Sequence, residues 1–349
     1  MVYCRDCWWS DNWEPLDYGR DYDFSRPFFE QFLSLFQKVP RSALTYTNTI
    51  DSKYLNFAID IKNGYLVFIS HNLENVSYAN VATYVKDSLD ILTTDRSEFC
   101  YETINSAKCF RVFTSIYAEE CRSSGLLYNC RNCSESMACV NLRNKSYCIF
   151  NEQFSKEEYQ NKIRDLDLGS FKNFEGLKNK FKSFALKYPR RSAMIRNSVN
   201  TIGDDIRYAK NCYRCFYITN GAEDCRYSAF LSDPVKDSVD VVFAAFSGTE
   251  LLYDIQAVAG QRVSFSYAIY YSNDVSLSES CHYSQSLFAC IGLRNKSYCI
   301  LNKQYTKEEY EKLVPKIIEH MNQMPYIDKK GRVYKYGEFF PPELSPFSY

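Results

Sequence analysis

Glycine and proline are scarce in this chain of 349 residues, at 12 and 10. That scarcity argues against low-complexity linkers and disordered segments. The few glycines, among them Gly169, Gly176, Gly203 and Gly221, are isolated, so no glycine-rich phosphate loop and no dinucleotide fingerprint is present. Asn-Gly, the commonest tight-hairpin signal, occurs only at 63–64 and 220–221. Three histidines, His71, His282 and His320, lie far apart and give little support to nucleophilic catalysis. Net charge is absent too, with 42 basic and 42 acidic residues. No global field draws the chain toward nucleic acid or an anionic membrane. No window approaches the ~18 apolar residues of a membrane span. The opening residues, MVYCRDCWWSDNWEPLDYGRDYDF, lack the basic and apolar regions of a secretory signal.

What is abundant is aromatic and sulfur-bearing. Aromatics make up 17% of residues, chiefly 30 Tyr and 25 Phe, and there are 15 cysteines. The count is odd, and most of these cysteines sit inside patterned, strand-like segments. We expect reduced thiols, buried as small hydrophobes, in a cytoplasmic protein.

The chain repeats itself. CVNLRNKSYCIFNEQFSKEEY from Cys139 and CIGLRNKSYCILNKQYTKEEY from Cys290 are identical at 15 of 21 positions. Upstream, KNGYLVF at 62–68 answers KNCYRCF at 210–216, ENVSY at 74–78 answers EDCRY at 223–227, and VKDSLD at 85–90 answers VKDSVD at 235–240. Two copies of one unit therefore span about 50–166 and 198–317.

A shorter period runs inside each copy. The series Gly64, Val76, Ser88, Cys100, Cys109, Cys121, Cys130, Cys139, Cys148 advances in steps of 12 or 9. Polar turn residues usually precede each member, and aromatic or β-branched residues often follow. The expected fold is mainly β with capping helices, as two tandem parallel β-solenoid units, with two steps (about 18–26 residues) to a coil. An antiparallel sandwich in each unit is the rival.

Helices interrupt this pattern. SKEEYQNKI and TKEEYEKLVPKIIEHM each open with a capping box, Ser155 with Glu158 and Thr306 with Glu309. They follow the last strand of each unit, where a cap is expected. Pro315 should kink the second. FSRPFFEQFLSLFQKVP has Ser25 as candidate N-cap. FKNFEGLKNKFKSFALKYPRR reads as an amphipathic helix with a basic face. The resulting segments are 1–24, a truncated zinc knuckle; 25–49, helix and linker; 50–166 and 198–322, the two solenoid units; 167–197, the basic linker helix; and 323–349, a tail.

Cys4 and Cys7 form a CxxC, one half of a tetrahedral zinc site that requires two more ligands. The pairs Cys130/Cys133 and Cys212/Cys215 coincide with the repeat series and read as core thiols. The repeated corner residues Arg143, Lys145, Arg294 and Lys296 are candidate anion contacts. So are Lys178, Lys182, Arg190 and Arg191 of the basic linker helix. Asp87/Asp90 and Asp237/Asp240 repeat as KDS.D. Such pairs suit a turn, or the acid–base work of a β-helix polysaccharide lyase or hydrolase.

The phrases YCRDCWWSDNWEPLDYGRDYDFSRPFFEQF, LRNKSYC and GEFFPPELSPF resemble a family of uncharacterised cysteine-rich repeat proteins of candidate-phyla-radiation bacteria, over nearly the whole chain. The resemblance implies an upstream CxxC completing a zinc ribbon with Cys4 and Cys7, and a chain cut at both ends. It implies no activity. The expected function is a non-enzymatic binding or scaffold protein with a zinc ribbon and a protein or nucleic-acid partner. The alternative is a carbohydrate-active β-helix protein.

Overall fold

The computed structural model describes residues 1–244 and 248–344; the end of the tail, 345–349, lies outside them. The chain forms two compact units. Ser42–Arg190 is the first, and Arg191–Tyr349 joins Met1–Arg41 in the second. Five helices are named here: α1 (Arg5–Trp9), α2 (Phe28–Lys38), α3 (Lys156–Asp165), α4 (Phe171–Ala185) and α5 (Lys307–Gln323).

Each unit is a parallel β-solenoid, as the repeats imply. In the first, strands pair in parallel at a constant offset of twelve, from Tyr46↔Ala58 through Leu55↔Val67 to Ser134↔Ser146. In the second the offset varies, from Ile195↔Ile206 through Phe216↔Ala229 and Val235↔Thr249 to Asn273↔Gln285. One coil is therefore about twelve residues, not the 18–26 expected.

The reason lies in a three-residue rhythm. Every third side chain points inward, as at Leu55, Ala58, Ile61, Val67 and Ser70, all below 5% exposed. The second residue after each inward one has positive φ, as at Phe57, Asp60, Asn63, Leu66 and Ile69, between 49° and 57°. A left-handed residue after every two extended ones turns the chain. Four triplets then close one coil of twelve. An L residue in this conformation costs about 1–2 kcal/mol, which is why glycine and, next, asparagine or aspartate favour it. Here Asn63, Asn72, Asn75, Asp87 and Asp90 take such corners, but so do Ile69, Val81 and Tyr84.

Twelve-residue coils stack four inward columns, and serines line them with paired hydroxyls, as at Ser70 and Ser88. Ser70 donates to Phe68 O at 2.7 Å and accepts from Ala82 N–H at 3.0 Å. Ser88 does the same with Lys86 O and Cys100 N–H, at 2.6 and 3.0 Å. Cysteine uses a second geometry. The Cys139 thiol lies 3.2 Å from Met137 O and 3.6 Å from Cys148 O, nine residues on. A step of twelve thus stays within a column, and a step of nine moves to the neighbouring side.

Each stack closes in the same way. The last strand folds back antiparallel at Ile149↔Glu152 and at Ile300↔Lys303. A helix with both halves of its capping box formed follows, α3 on Ser155 and Glu158, α5 on Thr306 and Glu309. α5 continues through Pro315. α4 lies on the first solenoid, with Leu177 packed among Leu126, Met137 and Ala138. α2 buries Phe28, Phe29, Phe32 and Leu35 with Phe288, Ile300 and Ile317 of the second. Its N-cap is Pro27, not Ser25. The Ser25 hydroxyl is held instead by Asp23 Oδ1 at 2.6 Å, in a turn that precedes the helix.

Candidate functional site

The two solenoids carry one outer face twice. In the first, Glu74 is clamped between Lys62 and Lys86 of the coils on either side, at 2.9 and 3.1 Å. In the second, Glu223 is clamped between Lys210 and Lys236, at 2.7 and 3.4 Å. Hydrogen bonds from Lys62 and Lys210, respectively, are the largest influence holding each carboxyl below the usual range. One residue along, Asn63 Nδ2 donates to Asn75 Oδ1 at 2.8 Å, and Asn75 Nδ2 donates to Asp87 Oδ1 at 2.7 Å. The counterpart is Asn211 Nδ2 donating to Asp224 Oδ1 at 3.0 Å. Tyr65 and Tyr78 then meet edge to face, 5.7 Å between centroids and 83° between planes. Tyr213 and Tyr227 repeat this at 5.7 Å and 88°.

These groups share a face because each column advances by one coil. Lys62, Glu74 and Lys86 follow inward residues Ile61, Leu73 and Val85. Asn63, Asn75 and Asp87 take the left-handed corners next to them. The tyrosines stand across the inward column. Between corner and tyrosine columns of the second solenoid lies a trough of about 620 Å³, lined by Asn211, Asp224, Tyr213, Arg226 and Tyr227. The same face of the first has one of about 490 Å³, lined by Asn75, Asp87, Phe99 and Tyr101.

Eight outer positions of this face are identical in the two copies, and five inward ones are exchanged while inward Val85 and Ser88 are kept as Val235 and Ser238. Exposed or half-exposed Lys62, Asn63, Tyr65, Glu74, Tyr78, Lys86, Asp87 and Asp90 have identical counterparts in the second copy. Inward Gly64, Val67, Ser70, Leu73 and Val76 face Cys212, Cys215, Ile218, Ala222 and Cys225. The sequence already held these matches. What it could not show was which residues point outward, because the sides are only three residues long.

The cysteines divide by place. Cys4 and Cys7 are exposed, the other 13 are buried, and all 15 are free thiols. Burial pushes Cys109, Cys139 and Cys281 up to about 12. Cys133 ionises more readily, because hydrogen bonds from Cys121 and Cys130 favour its thiolate, and Cys212 likewise between Cys215 and Cys225. These two CxxC pairs line the bore, as core thiols do. At the N-terminus, Cys4 caps α1, its Sγ accepting Cys7 N–H at 3.4 Å. The bonds from Cys7 lower the pKa of Cys4, and that of Cys7 is raised in turn. Among the described residues no group of three or more His, Cys, Asp or Glu converges on a common point.

The candidate cations do not gather. Arg143 donates to Leu142 O at 2.8 Å and to Asn129 Oδ1 at 3.0 Å. Lys145 reaches Gln153 Oε1 at 3.4 Å. Arg294 sits among Trp8, Trp9 and Trp13, 5.3–5.6 Å from each ring. Lys296 pairs with Glu14 at 3.0 Å. Both repeated arginines thus serve internal contacts. Lys178 pairs with Glu102 at 3.0 Å, and Lys182 stands at the lip of the same cleft, about 610 Å³ of mostly apolar wall beneath α4. Arg190 lies 5.0 Å over Tyr128, and Arg191 is exposed. Asp87 closes the amide ladder, and Asp90 and Asp240 take corners. No helix among the described residues is long and apolar enough to cross a membrane.

No family model and no curated protein matches the sequence. Among solved structures, the chain is similar to a protein of Desulfovibrio desulfuricans G20 named as an acetyltransferase, at 13% identity and a TM-score of 0.12. The match covers 70% of this chain and 63% of that one, and a likeness of that size assigns neither fold nor activity.

Proposed function

We propose that this chain is a non-enzymatic binding protein, and that the face built by Lys62, Asn63, Tyr65, Glu74, Tyr78 and Lys86, with its copy in the second solenoid, is where it binds. One observation carries this. After an internal duplication, packing normally holds the core while the surface drifts. Here eight outer residues of the face are unchanged, while five of the inward residues among them are exchanged and two, Val85 and Ser88, are kept. Exposed polar and aromatic residues kept in both copies mark a binding surface. The Asp87/Asp90 repeat belongs to that surface and serves its ladder, which favours binding over acid–base chemistry.

The charge of the face narrows the partner. In the first copy, Lys62 and Lys86 stand against Glu74, Asp87 and Asp90. In the second, Lys210, Arg214, Arg226 and Lys236 stand against Glu223, Asp224, Asp237 and Asp240. The first balance is acidic and the second even, so a phosphate backbone gains little on either. Of the expected partners, nucleic acid is thus the less suited. A zinc ion on Cys4 and Cys7 belongs to this proposal as a structural centre that needs two further ligands, and the free thiols suit the cytoplasm.

The test is retention on immobilised panels of proteins, nucleic acids and polysaccharides, with Tyr78→Ala/Tyr227→Ala beside the native chain. The expected result is retention by one class, lost in the variant, with the ligand recovered intact. A ligand recovered cleaved, or retention indifferent to the variant, contradicts the proposal.

A further inference from the structure

We infer that each copy of this face binds a neutral, linear polysaccharide laid along the stack of coils. The inference rests on the binding reading above and names its ligand.

The chemistry of the face selects the class. A sugar presents neighbouring hydroxyls, each donor and acceptor at once, and a C–H face on each ring. The first copy offers donors and acceptors side by side: the ammonium groups of Lys62 and Lys86 flank the Glu74 carboxylate, and the Asn63 and Asn75 amides run into Asp87. Each amide donates one hydrogen to the next rung and keeps its second N–H and an acceptor lone pair. Tyr78 and Tyr227 are 50% and 47% exposed, with ring surface free to receive a C–H face.

Other classes fit less well. A protein interface centres on a dry apolar cluster. This face has charge and amide at its centre, and its tyrosines stand along one side. Polyanions, acidic glycans included, meet a net negative charge in the first copy and no net positive charge in the second.

The repeat gives the direction. Lys62, Glu74 and Lys86 are equivalent positions of three successive coils, as are Asn63, Asn75 and Asp87. Successive coils are about 4.8 Å apart, close to the length of one sugar ring in an extended chain. A polymer along this axis meets a Lys-Glu-Lys column and an amide column in successive coils, and a globular ligand meets them over one patch. Two copies on one chain give two sites for the polymer.

The experiment is native electrophoresis of the full chain through gels containing hydroxyethylcellulose, laminarin, xylan or galactomannan, with polygalacturonate as the anionic comparison. At least one neutral polymer should retard the chain and polygalacturonate should not. Tyr65→Ala/Tyr78→Ala and Tyr213→Ala/Tyr227→Ala should each weaken retardation, roughly tenfold in affinity, and the four together should abolish it. Lys62→Ala/Asp87→Asn, which leaves the rings in place, should also weaken it. Circular dichroism confirms that each variant is folded. If no neutral polymer retards the chain, or the fourfold variant is retarded like the native chain, the inference is overturned. Retention of a protein through the same tyrosines, with no retardation by any polysaccharide, overturns the glycan ligand and leaves the binding reading standing.

Discussion

Inside the first solenoid, the Ser70 hydroxyl accepts the N–H of Ala82 at 3.0 Å, twelve residues later in the chain. That contact is the register of the fold in a single bond. It places Ser70 and Ala82 one above the other, and both are fully buried. Ser70→Ala leaves the Ala82 N–H without its partner in a dry bore. The expected loss is about 1–3 kcal/mol in denaturant unfolding. A loss within error would mean that water reaches the bore at this coil.

The corner at Val81 runs the other way. Its φ is 55°, and a β-branched residue pays most for that conformation. Val81→Asn should raise stability by about 1 kcal/mol, read as an upward shift of the melting temperature. An unchanged or lower melting temperature would indicate that the Val81 side chain contributes packing that outweighs the relief.

The N-terminal segment should respond to acid. His282 lies 5.7 Å from Trp8, 5.1 Å from Trp9 and 5.4 Å from Tyr270. Burial first, and the Arg294 guanidinium second, bring its pKa from 6.5 to about 4. The folded value lies below the unfolded one, so the fold favours neutral imidazole. The stability this gives is complete above the unfolded value and is lost as pH falls from about 6.5 toward 4, by roughly 3 kcal/mol in the limit. All three tryptophans, Trp8, Trp9 and Trp13, lie in this cluster, so fluorescence excited selectively at tryptophan reports on it alone. A red shift between pH 7 and 4, absent in His282→Gln, is expected. A spectrum constant over that range would contradict the assignment.

Helix α4 is held in part by Lys178 and Glu102. Burial raises the Glu102 pKa, but bonds from Lys178 and Thr114 outweigh it and the net shift is downward; Lys178 is raised chiefly by its bond to Glu102. The carboxylate contribution is present above its unfolded value and lost as pH falls through the folded one. The ammonium contribution is present below its unfolded value and lost as pH rises through the folded one. The pair therefore supports α4 across the neutral range. Lys178→Met should cost under about 1 kcal/mol, and should speed amide exchange in α4 without affecting the far coils. Uniform acceleration throughout the unit would show that α4 and the coils open as one.

Much of this fold was written in the sequence. The two copies, the capping boxes at Ser155 and Thr306 and the parallel stacking could all be read there, because each rests on local patterns. The coil length differs from the expected 18–26 residues, although every step of the Gly64-to-Cys148 series is a multiple of three. The expectation makes each step of nine or twelve a part of a coil, whereas the side is the triplet itself and twelve residues close the coil. A corner after every third residue calls for a left-handed conformation that glycine marks, and here tyrosine, valine and leucine occupy many corners. The exterior site was hidden for a related reason. The matches at Lys62, Tyr65 and Tyr78 were visible, but without the triplet nothing said that they face outward while Gly64 and Val67 face in. The arginines of the repeated LRNK motif drew notice as candidate anion contacts, and Arg143 and Arg294 serve the coil and the tryptophan cluster instead.

The central claim is that the residues shared by the two copies are held by what they bind rather than by packing. The most direct measurement pairs melting temperature with ligand retention in two variants of the first copy. Lys62→Ala/Tyr65→Ala/Tyr78→Ala alters the shared exterior, and Val67→Cys exchanges an inward residue for its counterpart, Cys215. The account predicts a melting temperature within a few degrees of native for the exterior variant, with retention through the first copy lost, and full retention for the inward one. A steep fall in melting temperature for the exterior variant, with retention per folded molecule unchanged, would contradict it.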